Sequence, residues 1–187
     1  MSEKITLWTI QAPEAWERCR RTGRLVPDGR RGWRHFRPAY RWLREQARSR
    51  LPGYAGGPLL WAWLRKPDLR RRQFSPGRPG VRFEFAVPRE RVLCSDFSAW
   101  HCVLNLDYLA LSEAEDDAWD RRLAERGLDW RHLPPAERRE LEKSWERIFD
   151  LEALDASDWT GPVTHVQAVL ELIRLEEVVR VDPFVSR

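Results

Sequence analysis

The sequence predicts an α+β fold, a single domain over 1–187 built on a mixed or antiparallel sheet. Three observations lead there. Val81, Phe83, Phe85 and Val87 alternate with Arg82, Glu84 and Ala86, the period-two pattern of a half-buried strand. Proline, serine, aspartate and glycine stand where helices begin and end. Strand and helix patterns are interspersed without the strict strand–helix–strand alternation of a parallel sheet. The 187 residues, 42% of them hydrophobic and 33% charged, suit one core and are too apolar for disorder. No apolar run approaches the ~20 residues of a membrane span, so no membrane partner is expected.

Taken in order, Lys4–Gln11 reads as the first strand, with Ile5, Leu7 and Thr9 on one face. Pro13 sits in the first turn of a helix that Gly23 closes, and Ala15, Trp16 and Cys19 form its inward stripe. Residues 24–35 read as a basic, glycine-containing loop. Pro38 starts a second helix, on which Tyr40, Leu43 and Ala47 recur at helical spacing. Pro52, Gly53, Gly56, Gly57 and Pro58 then break the chain before an apolar strand at 59–64. A polar, arginine-rich loop covers 65–80, the alternating strand follows, Pro88 ends it, and 92–94 continue extended. Ser95 and Asp96 both suit the N-cap of a helix over 97–109. Ser112 with Glu115 predicts a capping box for a helix ended by Gly127, and Pro134 with Pro135 opens another reaching 149. Residues 112–158 therefore read as an acidic helical hairpin inserted into the sheet domain. A strand at 163–174 and an end containing Pro183 and Phe184 complete the chain.

The net charge of +4 hides a split: 22 basic and 8 acidic residues over 1–91, a net of +14, against 11 and 21 over 92–187, a net of −10. Such asymmetry points to a polyanionic ligand or to a basic half paired with its own acidic half. Thirty of the 33 basic residues are arginine, which reflects genome composition or suits bidentate phosphate contacts. Cys19, Cys94 and Cys102 have no metal or redox spacing, and the first residues lack a signal pattern. Reduced thiols in a cytoplasmic protein are expected. The four histidines show no ligand spacing, so no metal site is expected.

Several residues carry two readings. Asp96 is a catalytic carboxylate or a helix cap. His101 and Asn105, four apart on one helix face, reach a ligand or form a satisfied buried pair. Trp61 and Trp63 point to one strand face, where they stack on a planar ring (nicotinamide, adenine or an unpaired base) or fill a core layer. The basic stretch from Arg18 to Arg50, interleaved with Trp33, His35, Phe36, Tyr40 and Trp42, fits a phosphate-bearing partner or a solvated face.

Leu7-Trp-Thr-Ile-Gln11, Trp16 with Gly23 and Leu25, Tyr40-Arg-Trp42 with Gln46, and Trp61-Ala-Trp63 together resemble a bacterial family termed domain of unknown function 3841. Val87-Pro88, Ser95-Asp96-Phe97, Trp100-His101, Leu104-Asn105 and Gln167 before 178–184 extend that likeness over most of the chain. The opening strand, the helix ending in glycine and the later apolar strand also resemble small ADP-ribosyltransferase-like domains, which commonly open Leu-Tyr-His-Ile-Thr. That resemblance implies an ADP-ribosyltransferase-like sheet and a cleft for NAD or a related nucleotide, with transfer of ADP-ribose to a macromolecular target. Thr9 stands at the position of the first-strand histidine, and Gln167 or Glu171 at that of the late glutamate. A glutamine there lacks the charge that stabilises an oxocarbenium-like transition state, and Asp96 is the compensating acid to inspect. On this reading Trp61 and Trp63 form an aromatic wall and Thr9 and Gln11 meet ribose hydroxyls. Arg34, Arg37 or Arg41 neutralises pyrophosphate, and Tyr40, His101 and Asn105 are further cofactor contacts. The opening and closing β-segments are expected side by side. The alternative is a non-catalytic nucleic-acid- or protein-binding module using the basic, arginine- and tryptophan-rich N-terminal half.

Overall fold

A computed structural model describes residues 3–28 and 34–187. The chain divides into two compact units, one of 1–32, 43–94 and 166–187, the other of 33–42 and 95–165. The second is wider than the hairpin expected at 112–158.

The first unit is organised by β1 (Lys4–Gln11), which pairs antiparallel with β3 (Leu60–Trp63) and along its whole length with β4 (Pro79–Pro88). On the far side of β3 lies β6 (Val166–Leu170), and on the far side of β4 lies β8 (Val178–Val185), both antiparallel. With β5 (Leu93–Asp96), which straddles the division between units, the order is β5-β6-β3-β1-β4-β8. The fold is thus mixed α/β on an open antiparallel sheet. A two-stranded ribbon pairs β2 (Arg24–Leu25) with β7 (Ile173–Arg174).

Register decides what each face carries. Leu7 stands opposite Phe85 and Thr9 opposite Phe83, and residues directly paired across antiparallel strands share a face. That face is the core: Leu7, Leu60, Ala62, Phe83, Phe85 and Ala168 are all buried on it. Helix α1 (Pro13–Thr22) covers it with Ala15 and Cys19, and Trp16 meets Phe83 edge to face at 5.7 Å. Pro13 and a left-handed Gly23 (φ 72°) bound α1 as the sequence indicates. Gly80 is required for a different reason: a Cβ there would lie 2.5 Å from Phe184 and 2.6 Å from Phe74, the stacked pair that closes this end of the sheet.

Several boundaries differ from expectation. Arg24 and Leu25 form a strand where a loop is expected, because Leu25 buries beside its partner Ile173. The strand expected at 163–174 begins at Val166 and is interrupted at Glu171 and Leu172, where the Leu172 carbonyl is taken by a side chain. Glu171 Oε1 accepts from the Ala55 N–H at 3.1 Å, and the Leu172 carbonyl accepts from Arg91 at 2.9 Å. Strand β8 continues through Pro183, which an edge strand tolerates because only one side of it must pair. Strands β1 and β6 are not neighbours; β3 lies between them.

The second unit contains α3 (Phe97–Asn105), α4 (Glu113–Glu125), α5 (Pro135–Ser144) and α6 (Leu151–Asp155). It also holds the first residues of α2 (Arg37–Arg50), which straddles the division. Helix α3 stops four residues short of the expected 109, because Leu106 turns left-handed (φ 63°) and its N–H closes on the Cys102 and Val103 carbonyls. Beyond it, Ser144 Oγ accepts the Leu109 N–H at 3.0 Å. Helix α5 ends at Ser144 and tightens into a 3₁₀ turn over Trp145–Phe149. Trp145 is wholly buried, with Trp42 edge-on at 5.4 Å and its indole N–H donating to the Asp107 carbonyl at 2.7 Å. Helices α4 and α5 are joined by the pairs Arg122–Glu140 and Arg126–Glu137.

Phe83 has no solvent exposure and meets α1 directly. Phe83→Ala is expected to cost about 3–5 kcal/mol in urea unfolding; a loss below ~1 kcal/mol would show that the α1–sheet contact does not hold this unit.

Candidate functional site

The face of the sheet opposite the core carries the candidate site. Trp8 pairs directly with Trp63, Trp63 with Gln167, Trp8 with Glu84 and Glu84 with Arg180. One row, Gln167-Trp63-Trp8-Glu84-Arg180, therefore crosses five strands on a single face. Trp61, two residues before Trp63, shares that face. All three indoles are half-buried, while Gln167 is 3% exposed and forms the covered end of the row.

The polar edge of the row is already satisfied. Trp8 Nε1 donates to Glu84 Oε2 at 3.2 Å, and Lys66 Nζ stands 4.0 Å from the same oxygen. One register step along, Arg82 pairs with Asp182 and donates to the Pro67 carbonyl at 2.7 Å, tethering the start of the 65–78 loop. Burial alone would push the Asp182 carboxyl up, but hydrogen bonds from Arg82 and Arg180 hold it below its ordinary value. The loop carries Arg65, Lys66, Arg70, Arg71, Arg72 and Arg78, all exposed, against one acid. That acid, Asp68, is lowered to about 2 chiefly by its hydrogen bonds with Arg70, so it stays ionised and answers only one of the six cations.

The residues singled out from sequence fall into three groups. Trp61, Trp63 and Gln167 come together as above. Thr9 and Gln11 also come together, Gln11 Nε2 donating to Thr9 Oγ1 at 2.9 Å, but on the core face, where Thr9 is 2% exposed. A slot lined at once by Thr9, Trp61, Trp63 and Gln167 is not formed, because adjacent strand residues point to opposite faces and Trp8, not Thr9, is paired with Trp63. Glu171 lies in the turn after β6, engaged with the Ala55 N–H.

The remaining candidates belong to the helical unit. Arg37 and Arg41 are exposed on α2, and Tyr40 packs edge-on against Trp100 at 5.7 Å, its phenol pushed up by burial. The Arg34 side chain lies outside the described residues. Asp96 caps α3, its Oδ1 accepting from the Ala99 N–H at 2.7 Å. His101 is exposed, its Nδ1–H directed at the Phe97 carbonyl at 2.9 Å, and Asn105 is exposed at the end of α3. Sequence reasoning missed Trp8, Glu84 and Lys66 as parts of the face. The alternation in β4 was the available signal, since Arg82 and Glu84 mark the side away from the core.

The helical unit holds a separate cavity of about 190 Å³, lined by Asp96, Cys102, Tyr108, Leu154 and Trp159 among others. Its Tyr108 wall is braced by an ion-pair network. Tyr108 donates to Glu115 Oε1 at 2.9 Å, Arg147 binds both Glu115 oxygens at 2.6 and 2.9 Å, and the Leu111 N–H donates to Glu115 Oε2 at 2.9 Å. Ser112 Oγ accepts the Glu115 N–H as a capping box requires, but the Glu115 carboxylate reaches the Leu111 N–H instead of that of Ser112.

All three cysteines are free thiols, pushed up mainly by burial and so poor nucleophiles. Among the described residues no group of three or more His, Cys, Asp or Glu side chains is placed to hold a metal, and no helix is long and apolar enough to cross a membrane. A family model described as Domain of unknown function (DUF3841) matches residues 6–179. No curated protein and no solved structure matches the chain.

Burial pushes the Glu115 carboxyl up, but the hydrogen bonds from Arg147, the Leu111 N–H and Tyr108 outweigh it and hold it below its ordinary value. A carboxylate lowered on folding stabilises the native state at neutral pH, and that contribution disappears as pH falls through its folded-state value. Glu115→Gln is expected to lower Tm at pH 7 and to flatten the loss of stability between about pH 5 and pH 3 in thermal melts. An acid slope equal to that of the parent protein would refute the role assigned to this network.

Proposed function

The chain belongs to that family, whose description names no activity, and we propose on the geometry alone that its sheet face is a non-catalytic binding site for single-stranded nucleic acid. The row of Trp8 and Trp63 in direct register, with Trp61 beside them, carries this reading. Indole faces stack on bases of any sequence, worth about 1–3 kcal/mol per base, while a neighbouring basic loop holds the backbone. Here Trp63 leads within two residues into Arg65 and Lys66, so the stacking surface and the cations are covalently adjacent. Glu84 satisfies the Trp8 indole N–H, so the indole needs no polar partner from a ligand. Of the loop arginines, only Arg70 is matched by Asp68.

The reading as an NAD-dependent ADP-ribosyltransferase draws Trp61, Trp63 and Gln167 from this face but Thr9 and Gln11 from the other. Gln167 would orient a ribose without supplying negative charge. What the two readings share is a planar ring against the indoles, so NAD is a competitor to be tested.

Fluorescence anisotropy with labelled single-stranded RNA and DNA tests the proposal. Binding should weaken steeply as salt rises, with a slope of roughly −0.7 per phosphate neutralised. Removing Arg71 and Arg72 together should make that slope shallower, whereas Trp63→Ala should weaken binding about 5- to 100-fold at every salt concentration. Thr9→Val, on the core face, should leave affinity unchanged. A flat salt response refutes nucleic-acid binding, and saturable NAD binding weakened by Thr9→Val would restore the transferase reading in its place.

A further inference from the structure

The cavity in the helical unit plays no part in the sheet-face reading. Asp96, which helps line it, is 5% exposed; its Oδ1 takes the Ala99 N–H, and Oδ2 has no hydrogen-bond partner among the described residues. No basic side chain lines the cavity among those residues. A buried carboxylate without a counter-ion is costly, and a ligand cation supplies the missing charge. Trp159 provides an aromatic surface and stays 46% exposed, and Leu154 provides an apolar wall; the Tyr108 ring on the same lining is already stacked on Trp119 at 4.5 Å, with the Arg147 guanidinium 5.8 Å from its centroid.

We propose that this cavity binds a small organic ammonium ion, its charged head against Asp96 and its alkyl body against Trp159 and Leu154. Ring faces attract ammonium groups, and most strongly where water is excluded. The Cys102 thiol, on the same wall, reports the sign of the local potential: besides burial, the carboxylates of Asp107, Asp116 and Asp96 all push it up. An anion is disfavoured because Asp96 itself already fills the anion's place at the α3 N-terminus. A hard metal cation would need several more oxygen ligands than the site offers. At about 190 Å³ the cavity lies below the roughly 300–1,000 Å³ of pockets for drug-sized ligands, so its ligand is small.

Isothermal titration of the full chain with tetramethylammonium and ethylammonium chloride, against sodium chloride and sodium acetate, tests this. Saturable one-site binding of at least one ammonium ion is expected. Asp96→Asn retains an efficient N-cap but removes the charge, and should weaken binding about tenfold or more; Trp159→Ala, at a largely exposed position, should weaken it several-fold. Should Asp96→Asn fail to fold by circular dichroism, the Trp159→Ala result decides. No saturable heat at millimolar ammonium, tighter binding of acetate, or heat that the variants leave unchanged (condensation on an acidic surface) would each overturn the proposal.

Discussion

The register of β1 is the constraint on which the first unit depends. Leu7 and Thr9 meet Phe85 and Phe83 beneath α1, and by the same pairing Trp8 meets Trp63 and Glu84 on the far side. Sliding β1 by one residue would put Trp8 into the phenylalanine layer and Leu7 among the indoles. The hydrophobic face thus pins the register, and the register then determines which residues can act together. The candidate site is in this sense a by-product of core packing: burial of two phenylalanines aligns the indoles.

Charge is handled differently in the two units. The helical unit answers many of its acids internally. Glu115 is bound by Arg147, Glu137 by Arg126, Glu140 by Arg122 and Glu142 by Arg138. Most of these pairs are solvent-exposed in part and contribute little each; Glu115 is the exception, because its two oxygens also take up a backbone N–H and a tyrosine hydroxyl. In the sheet unit Asp182 serves both Arg82 and Arg180, and the cations of the 65–78 loop outnumber its acids six to one. The 65–78 loop thus supplies part of the basic surplus of residues 1–91, most of the rest lying between Arg18 and Arg50, while the helical unit braces many of its acids internally.

Local signals were reliable wherever a residue acts on its own backbone. Pro13 and Gly23 bound α1, Ser112 caps α4 and Asp96 caps α3. They failed where a side chain from far along the chain takes over a backbone partner. Arg91 takes the Leu172 carbonyl and interrupts the strand expected at 163–174; the same signals also failed at Leu106, which ends α3 by a local left-handed turn that leucine rarely adopts. The pairing of Arg24 and Leu25 with Arg174 and Ile173 was equally invisible, since two residues show no periodicity.

From the sequence alone came the α+β composition, most element positions and the shared face of Trp61 and Trp63, because capping, turn chemistry and strand alternation are set within a few residues. The tertiary structure decided strand order and register. Those placed β3 between the opening strand and β6, turned Thr9 and Gln11 to the core face, and brought Trp8, Glu84 and Lys66 to the indole face. The physical reason is that pairing partners are chosen by burial across the whole sheet, and a period of two makes every such choice a choice of face.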